Sequence, residues 1–204
     1  MSTAIKLTPV EAMEHAIYFG FPERHCQRMV NGLRWSPEQM KSFHITNPII
    51  RAGGIVLVHG VRGNGKTQMA AGLGYEWWHR GYHLQRGKAR YWTLPDLFAA
   101  QKRSFAKSTV ANQPLRLARE CGLLILDEID SDQNSEYDKR ELRDLIDARY
   151  RADQRPTLFL TNVKPDRLRD ALDYSILDRI REDGAIVQLL GTSYRASNPN
   201  HAQK

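Results

Sequence analysis

The sequence has 204 residues, of which 41% are hydrophobic and 26% charged, and its formal net charge is +7. This size and composition are typical of one soluble globular domain, and the apolar runs are only strand-sized, so we expect no membrane span. The two cysteines stand in no paired motif, so we expect a reducing compartment and no zinc site. The first residues do not resemble a signal peptide, which favours a cytoplasmic location. The excess of basic residues suits either a solvated surface or contact with nucleic acid.

The predicted elements begin with helices and then alternate between short strands and helices. Helices are predicted over 9–19 and 22–33, separated at FGFP, and a loop containing Pro37 and Pro48 is predicted next. Strands follow over 55–59, 89–94, 122–130, 157–162 and 185–190. Helices are predicted between them over 68–79, 95–104, 139–151 and 165–181. This alternation, with several strands apolar throughout, predicts an α/β protein with a five-stranded parallel sheet between helices.

Residues 60–67, GVRGNGKT, directly follow the first predicted strand and open the next predicted helix. A glycine-rich loop in this position is typical of an ATP phosphate site, because backbone amides can wrap the phosphates and the helix N-terminus favours negative charge. We expect Lys66 to reach the β- and γ-phosphates and the Thr67 hydroxyl to bind Mg²⁺. The other residues expected to contact the nucleotide are Gly60, Val61, Arg62, Gly63, Asn64, Gly65 and Gln68.

The acidic end of the third predicted strand, LLILDEID, supplies the second part of the predicted site. Asp127 lies at the carboxyl end of a buried strand, where ligands of open α/β sheets bind, so we expect it to hold Mg²⁺ through water. Glu128 can orient or deprotonate an attacking water. Such a glutamate favours ATP hydrolysis over the outside alternative, a small-molecule P-loop kinase. Asn162, at the end of the fourth predicted strand, can sense the γ-phosphate and help to position the water.

Five motifs occur in an order that resembles one family of ATPases. HGVRGNGKT, LLILDEID, ARYRADQRPTLFLTN, LDRIREDG and GTSYR together resemble the AAA+ ATPases, and in detail the DnaC-type helicase loaders and the IstB-type transposition helpers. The resemblance implies that Asn162 is the first sensor, that Arg179 is an arginine finger offered to a neighbouring subunit, and that Arg195 is a second-sensor candidate. Such a finger spreads donors over the developing phosphate charge and makes hydrolysis depend on head-to-tail assembly.

The two ends of the chain depart from the common AAA+ pattern. Only residues 191–204 follow the fifth predicted strand, so we expect no C-terminal helical lid, as in the relatives that the sequence resembles. Residues 1–50 are interpreted as a short helical N-terminal region that could dock a partner, followed by the ATPase domain over 51–204. The alternative is that large apolar side chains attach this region to the ATPase domain; the candidates are Tyr18, Phe19, Phe21 and Met29.

Basic residues after the second predicted strand are the candidates for DNA contact. They are Lys102, Arg103 and Lys107, for which a solvated helix end is the alternative, and Phe105 could stack on a base. The sequence is therefore interpreted as an ATP- and Mg²⁺-dependent replicative helicase loader that binds single-stranded DNA and a helicase, in a bacterium or as a phage product in a bacterial host. The alternative is a transposition helper that acts on duplex DNA together with a transposase.

Overall fold

The computed structural model describes residues 7–32, 35–105, 113–129, 135–152 and 154–191. The helices in these ranges are α1 (Pro9–Tyr18), α2 (Glu23–Val30), α3 (Pro37–Ala52), α4 (Lys66–His79), α5 (Tyr82–Arg86), α6 (Leu94–Ser104), α7 (Pro114–Glu120), α8 (Glu136–Arg151), α9 (Leu168–Ala171) and α10 (Tyr174–Asp183). The strands are β1 (Ile55–His59), β2 (Ala89–Thr93), β3 (Leu123–Asp127), β4 (Thr157–Thr161) and β5 (Gly184–Gln188).

The strands form a five-stranded sheet in the order β2-β3-β4-β1-β5, and every pairing is parallel. The predicted parallel α/β sheet is therefore confirmed. All residues of β1, β3 and β4 are buried, which explains why their sequences are apolar without alternation. Because these three strands are neighbours and run in one direction, the segments that follow them lie at one edge of the sheet.

Each face of the sheet carries its own hydrophobic core. On one face, alternate residues such as Val56 and Leu160 pack with α4 residues that include Trp77. On the other face, residues such as Leu57 and Phe159 pack with residues of α6–α10. The alternation follows the two-residue period of a strand, so each central strand contributes to both cores. Among the described residues, no helix is long and apolar enough to cross a membrane.

The N-terminal helices α1 and α2 pack on α4 and share its core. The rings of Phe19 and Trp78 stack with their centroids 5.1 Å apart. Phe21 is buried, and its ring lies where a β-carbon at Gly74 would stand, so helix α4 needs glycine there. Tyr18 is 83% exposed. Two of the aromatic candidates, Phe19 and Phe21, thus attach this region to the body, while Tyr18 faces solvent.

The prediction of a loop before β1 is wrong, because residues 37–52 form helix α3. Ser36 caps this helix in a capping box with Gln39, and Pro37 occupies the first turn, where proline is favoured. Pro48 lies inside the helix, but buried residues on both sides of it hold the helix against the sheet. The helix ends at Gly53, whose φ of +101° suits glycine.

The helix predicted over 165–181 is also interrupted. A 3₁₀ turn (Pro165–Arg167) and the short α9 come first, and α10 then begins behind Asp173, whose carboxylate accepts a hydrogen bond from the Ser175 amide at 2.9 Å. Two short helices, α5 and α7, were not predicted at all. Both are shorter than two turns, which leaves too little hydrophobic periodicity to be recognised.

Candidate nucleotide site

The loop between β1 and α4 has a backbone that only glycine accommodates at several points. Gly63 and Gly65 have φ angles of +85° and +99°, in the left-handed region. At Gly60, a β-carbon would stand 2.4 Å from Asn64 Nδ2 and 2.5 Å from the Leu189 carbonyl oxygen. The loop runs into the first turn of α4, whose leading amides lack intrahelical acceptors and can bind phosphate oxygens.

The Lys66 ammonium group joins this loop to the end of β4. Its Nζ donates hydrogen bonds to the carbonyl oxygens of Gly60 and Val61, at 2.8 and 3.0 Å, and to Asn64 Oδ1 at 3.3 Å. It also donates to Asn162 Oδ1 at 2.9 Å. The predicted phosphate-binding lysine and the predicted sensor asparagine are therefore in direct contact, although 96 positions separate them in sequence.

The Asp127 carboxylate meets the hydroxyl of Thr67 at the same edge of the sheet. Thr67 donates to Asp127 Oδ2 at 2.9 Å, and the Glu128 amide donates to Asp127 Oδ1 at 2.8 Å. A carboxylate and a hydroxyl side by side are the oxygen ligands that Mg²⁺ prefers, so these two residues fit the predicted metal. Among the residues that approach this carboxylate, sequence reasoning missed Tyr91.

Tyr91 lies on β2, next to β3, and its hydroxyl donates to Asp127 Oδ2 at 2.6 Å. Burial, together with the charge of Asp127 and the hydrogen bond to it, raises the pKa of Tyr91 and keeps the phenol in its donating form. The available signal was a tyrosine hydroxyl at the middle of the strand ARYWT. It could be interpreted only after β2 was known to pair with β3.

Glu128 adopts a strained backbone conformation, with φ at +56°. A left-handed conformation costs a residue other than glycine on the order of 1–3 kcal/mol. The side chain is exposed at the edge of the sheet, directly after Asp127. Strain of this kind often accompanies a functional position, and here it falls on the residue expected to handle the attacking water.

Two of the predicted nucleotide-binding side chains make hydrogen bonds to other parts of the protein. Asn64 Nδ2 donates to the Leu189 carbonyl oxygen at 2.6 Å, which ties the loop to the chain after β5. Gln68 is buried against α2: its Nε2 donates to the His25 carbonyl oxygen at 3.0 Å, and its Oε1 lies 2.7 Å from His25 Nδ1. Neither side chain is available to a nucleotide without breaking these bonds, so both residues would contribute through their backbone. Val61 and Arg62 are exposed on the loop.

The comparisons with known proteins agree with this geometry. A family model described as IstB-like ATP binding protein matches residues 28–202. The chain belongs to this family. It is also similar to the replicative helicase loader DnaC of Escherichia coli (strain K12), with 32% identity over 124 residues, which are 60% of this chain and 48% of that protein. The chain thus spans about half the length of the curated relatives that it matches.

Solved structures of similar fold place this IstB-like protein among the AAA+ P-loop ATPase folds. The crystal structure of the DnaC helicase loader superimposes with a TM-score of 0.57 and 18% identity, over 81% of this chain and 90% of that chain. The AMPPCP-bound DnaA from Aquifex aeolicus superimposes with a TM-score of 0.65 and 19% identity, over 81% of this chain and 51% of that chain. These identities are low, so the likeness concerns the fold alone.

The predicted arginine finger, Arg179, contacts helix α8 within its own chain. Its Nη2 lies 3.0 Å from Asp147 Oδ1, and its Nη1 donates to the Ser175 carbonyl oxygen at 3.1 Å. The guanidinium also lies over the Tyr150 ring, 5.2 Å from the centroid. None of these contacts is with the phosphate loop, and the role of Arg179 as a finger stays a prediction. Arg195 lies outside the described residues.

Two of the three predicted DNA-contacting residues, Lys102 and Arg103, lie in the last turn of α6. Lys102 Nζ lies 3.0 Å from the buried Asp138 carboxylate, which also accepts the hydrogen bonds that cap α8. Burial acts to raise the pKa of Asp138, but the hydrogen bonds from Lys102 and Ser135 outweigh it and lower the pKa. Lys102 therefore has a structural contact as well as an exposed side, whereas Arg103 is exposed. Lys107 lies outside the described residues.

Proposed function

We propose that this IstB-like protein hydrolyses ATP with Mg²⁺ and serves as a replicative helicase loader. The observation that carries the proposal is the convergence of three strand ends. Lys66 bonds to Asn162, and Thr67 bonds to Asp127 beside Glu128, all at the carboxyl edge of β1, β3 and β4. The similarity to the helicase loader DnaC supports helicase loading as the process that ATP hydrolysis serves.

In this proposal, each residue has one task in hydrolysis. Lys66 moves from its loop carbonyls onto the β- and γ-phosphates, where its charge offsets theirs. Thr67 and Asp127 hold Mg²⁺, which when bound supplies positive charge to the phosphate oxygens. Glu128 accepts a proton from the attacking water, and Asn162 orients that water against the γ-phosphate. The kinase alternative is disfavoured because it has no use for Glu128.

The proposal includes head-to-tail assembly. Arg179 would leave Asp147 and reach the nucleotide of a neighbouring subunit, and Arg195 would act as a second sensor. The proposal requires Arg179 to exchange its contacts with Asp147 and Ser175 for a phosphate contact, and the two side chains of the ion pair are partly exposed, at 22% and 25%. Such a finger contributes on the order of 10³- to 10⁵-fold in rate where it has been measured.

The proposal also includes binding of single-stranded DNA. The net charge of +7 supports a polyanionic partner. Lys102, Arg103 and Lys107 are the proposed phosphate contacts. The exposed Phe105, directly after α6, is the aromatic side chain proposed to stack on a base.

A second function is favoured by a specific observation. The IstB-like family model matches residues 28–202, a larger part of the chain than the match to DnaC. A transposition helper would share the ATP site but would bind duplex DNA and a transposase. Two measurements separate the functions: the preference between single-stranded and duplex DNA, and whether a helicase or a transposase is retained on the immobilised protein from its source cell.

The experiment that tests the ATPase proposal measures nucleotide binding and phosphate release separately. Lys66→Ala should lose nucleotide binding, whereas Glu128→Gln should retain binding and lose turnover. Lys139→Ala, which removes an exposed lysine on α8, is the matched control and should behave as wild type. A wild-type protein without nucleotide binding would overturn the proposal. Wild-type turnover by Glu128→Gln would overturn the role given to Glu128.

A further inference from the structure

The Asp127 carboxylate is held by two hydroxyl groups that come from different parts of the fold. Thr67 and Tyr91 both donate to Oδ2, at 2.9 and 2.6 Å, while the Glu128 amide occupies Oδ1. Thr67 is the last residue of the phosphate loop, so its contact with a metal-binding carboxylate is expected of a P-loop nucleotide site. Tyr91 comes from the edge strand β2, and its ring is buried.

Tyr91 is itself held by the segment between α1 and α2. Its amide donates to the Phe19 carbonyl oxygen at 3.1 Å, and its ring packs against Phe21, with centroids 5.7 Å apart. Gly20, between Phe19 and Phe21, has a φ of +95°, and a β-carbon at this position would stand 2.5 Å from the Tyr91 carbonyl oxygen. Residues 19–21 therefore close on the free edge of β2, at a spacing that requires glycine at position 20.

We propose that Tyr91 is a positioning residue of the nucleotide site, which orients Asp127 for Mg²⁺ and is itself held in place by residues 19–21. The inference rests on the proposed function, because it concerns the same metal. A charged acceptor makes strong hydrogen bonds, so a phenol at 2.6 Å restricts rotation of the carboxylate. A ligand whose orientation is set before the metal arrives loses less freedom on binding, and outer hydrogen bonds of this kind raise metal affinity.

The same N-terminal segment also reaches the other side of the site. The His25–Gln68 contact joins α2 to the residue that follows Thr67. Helix α2 thus contacts α4, which carries Thr67, while residues 19–21 contact Tyr91 on β2, which in turn bonds to Asp127. A change in the position of the N-terminal helices would therefore alter metal binding, and by thermodynamic linkage metal binding would alter them.

The test replaces Tyr91 by phenylalanine, which removes the hydroxyl and keeps the buried ring. Binding of a fluorescent non-hydrolysable ATP analogue, MANT-AMPPNP, is titrated over a series of Mg²⁺ concentrations. For Tyr91→Phe we expect the half-saturating Mg²⁺ concentration to rise about tenfold, the order expected for one hydrogen bond to a charged acceptor. Binding without Mg²⁺ should stay within about twofold of wild type. Tyr75→Phe, which removes a hydroxyl on the distal part of α4, is the matched control and should not shift the Mg²⁺ dependence.

A second variant tests the support of Tyr91. Phe21→Leu keeps the Tyr91 hydroxyl but removes the ring that packs on it, so the half-saturating Mg²⁺ concentration should rise by a smaller factor. If Phe21 acts through Tyr91, the double variant should shift by less than the product of the two single shifts. Circular dichroism melts verify that each variant is folded at the assay temperature.

The outcomes distinguish this inference from the proposed function. If wild type responds to Mg²⁺ and Tyr91→Phe has the same half-saturating concentration, the positioning role is wrong and the ATPase proposal stands. Equal weakening with and without Mg²⁺ would also overturn the role, because it would indicate general damage to the site. A wild-type protein whose nucleotide binding ignores Mg²⁺ would overturn both.

Discussion

Replacing Glu128 by glycine is expected to stabilise the protein while abolishing ATP turnover. Glu128 has a φ of +56°, which glycine adopts without strain. Relief of the left-handed conformation is worth about 1–2 kcal/mol, and the added freedom of glycine in the unfolded chain costs about 0.4–1 kcal/mol. At the midpoints of these ranges the net gain in the free energy of unfolding is about 0.8 kcal/mol, which corresponds to a rise in Tm of about 2–3 °C for a chain of this length.

Glu128→Gln separates the strain from the chemistry. It keeps a side chain in the same backbone conformation, so its stability should match wild type. Its turnover should fall by about 10²- to 10⁴-fold, the usual contribution of a positioned general base. Glu128→Gly should lose turnover to a similar extent, but with a higher Tm.

Gln154 supplies the matched control, because it is exposed and has a φ of +60°. Gln154→Gly should gain stability similar to Glu128→Gly and keep wild-type ATP turnover. Urea unfolding and thermal melts measure stability, and phosphate release measures turnover. A Glu128→Gly protein less stable than wild type would refute the reasoning, since it would mean that the glutamate side chain stabilises the fold by more than its backbone conformation costs.

Three further predictions concern assembly, DNA and pH. If Arg179 completes a neighbour's site, mixing the inactive Arg179→Ala and Glu128→Gln proteins should restore phosphate release at about one interface in four; no recovery in assemblies verified by light scattering would remove Arg179 from the site. Affinity for single-stranded DNA should fall with salt at a log–log slope of about −0.7 per phosphate contact. Replacing Lys102 and Arg103 by glutamine should flatten that slope, and an unchanged slope would place the DNA path elsewhere. Burial lowers the pKa of His25 from its ordinary 6.5, so the unfolded chain binds more protons near that pH. The free energy of unfolding should therefore decrease as the pH falls from about 7.5 to about 5.5; His25→Gln should weaken this dependence in urea titrations, and an unchanged dependence would contradict the account.

The elements that sequence alone determined are those specified by contiguous residues. The apolar runs of β1, β3 and β4 predicted buried parallel strands, because a strand covered on both faces needs apolar residues at every position. The phosphate loop was recognisable because its glycines, lysine and threonine occupy eight consecutive positions between a strand and a helix. Asp127 and Asn162 could be assigned to the same edge, since parallel strands end together. Helix α3 is an exception, because its two prolines favour a loop in the sequence pattern while the cap at Ser36 and burial against the sheet hold a helix.

Contacts between distant segments were decided only by the tertiary structure. The strand order places β2 beside β3, and only then does the Tyr91 hydroxyl meet Asp127, 36 positions away. Gln68 was expected at the nucleotide, but packing of α2 on α4 turns its side chain to His25, 43 positions away.

Arg149 shows most clearly that a sequence pattern does not predict contacts between distant segments. Its position on α8 suggested only a helical pattern, yet its guanidinium is fully buried and donates to the carbonyl oxygens of Ala118, Cys121, Gly122 and Pro156. Burial lowers the pKa of Arg149, and these acceptors offset the cost of removing the group from water. A one-dimensional pattern records whether a residue is polar or apolar. It does not record which backbone oxygens the fold leaves unpaired beside it, and that physical difference separates what sequence determined from what only packing decided.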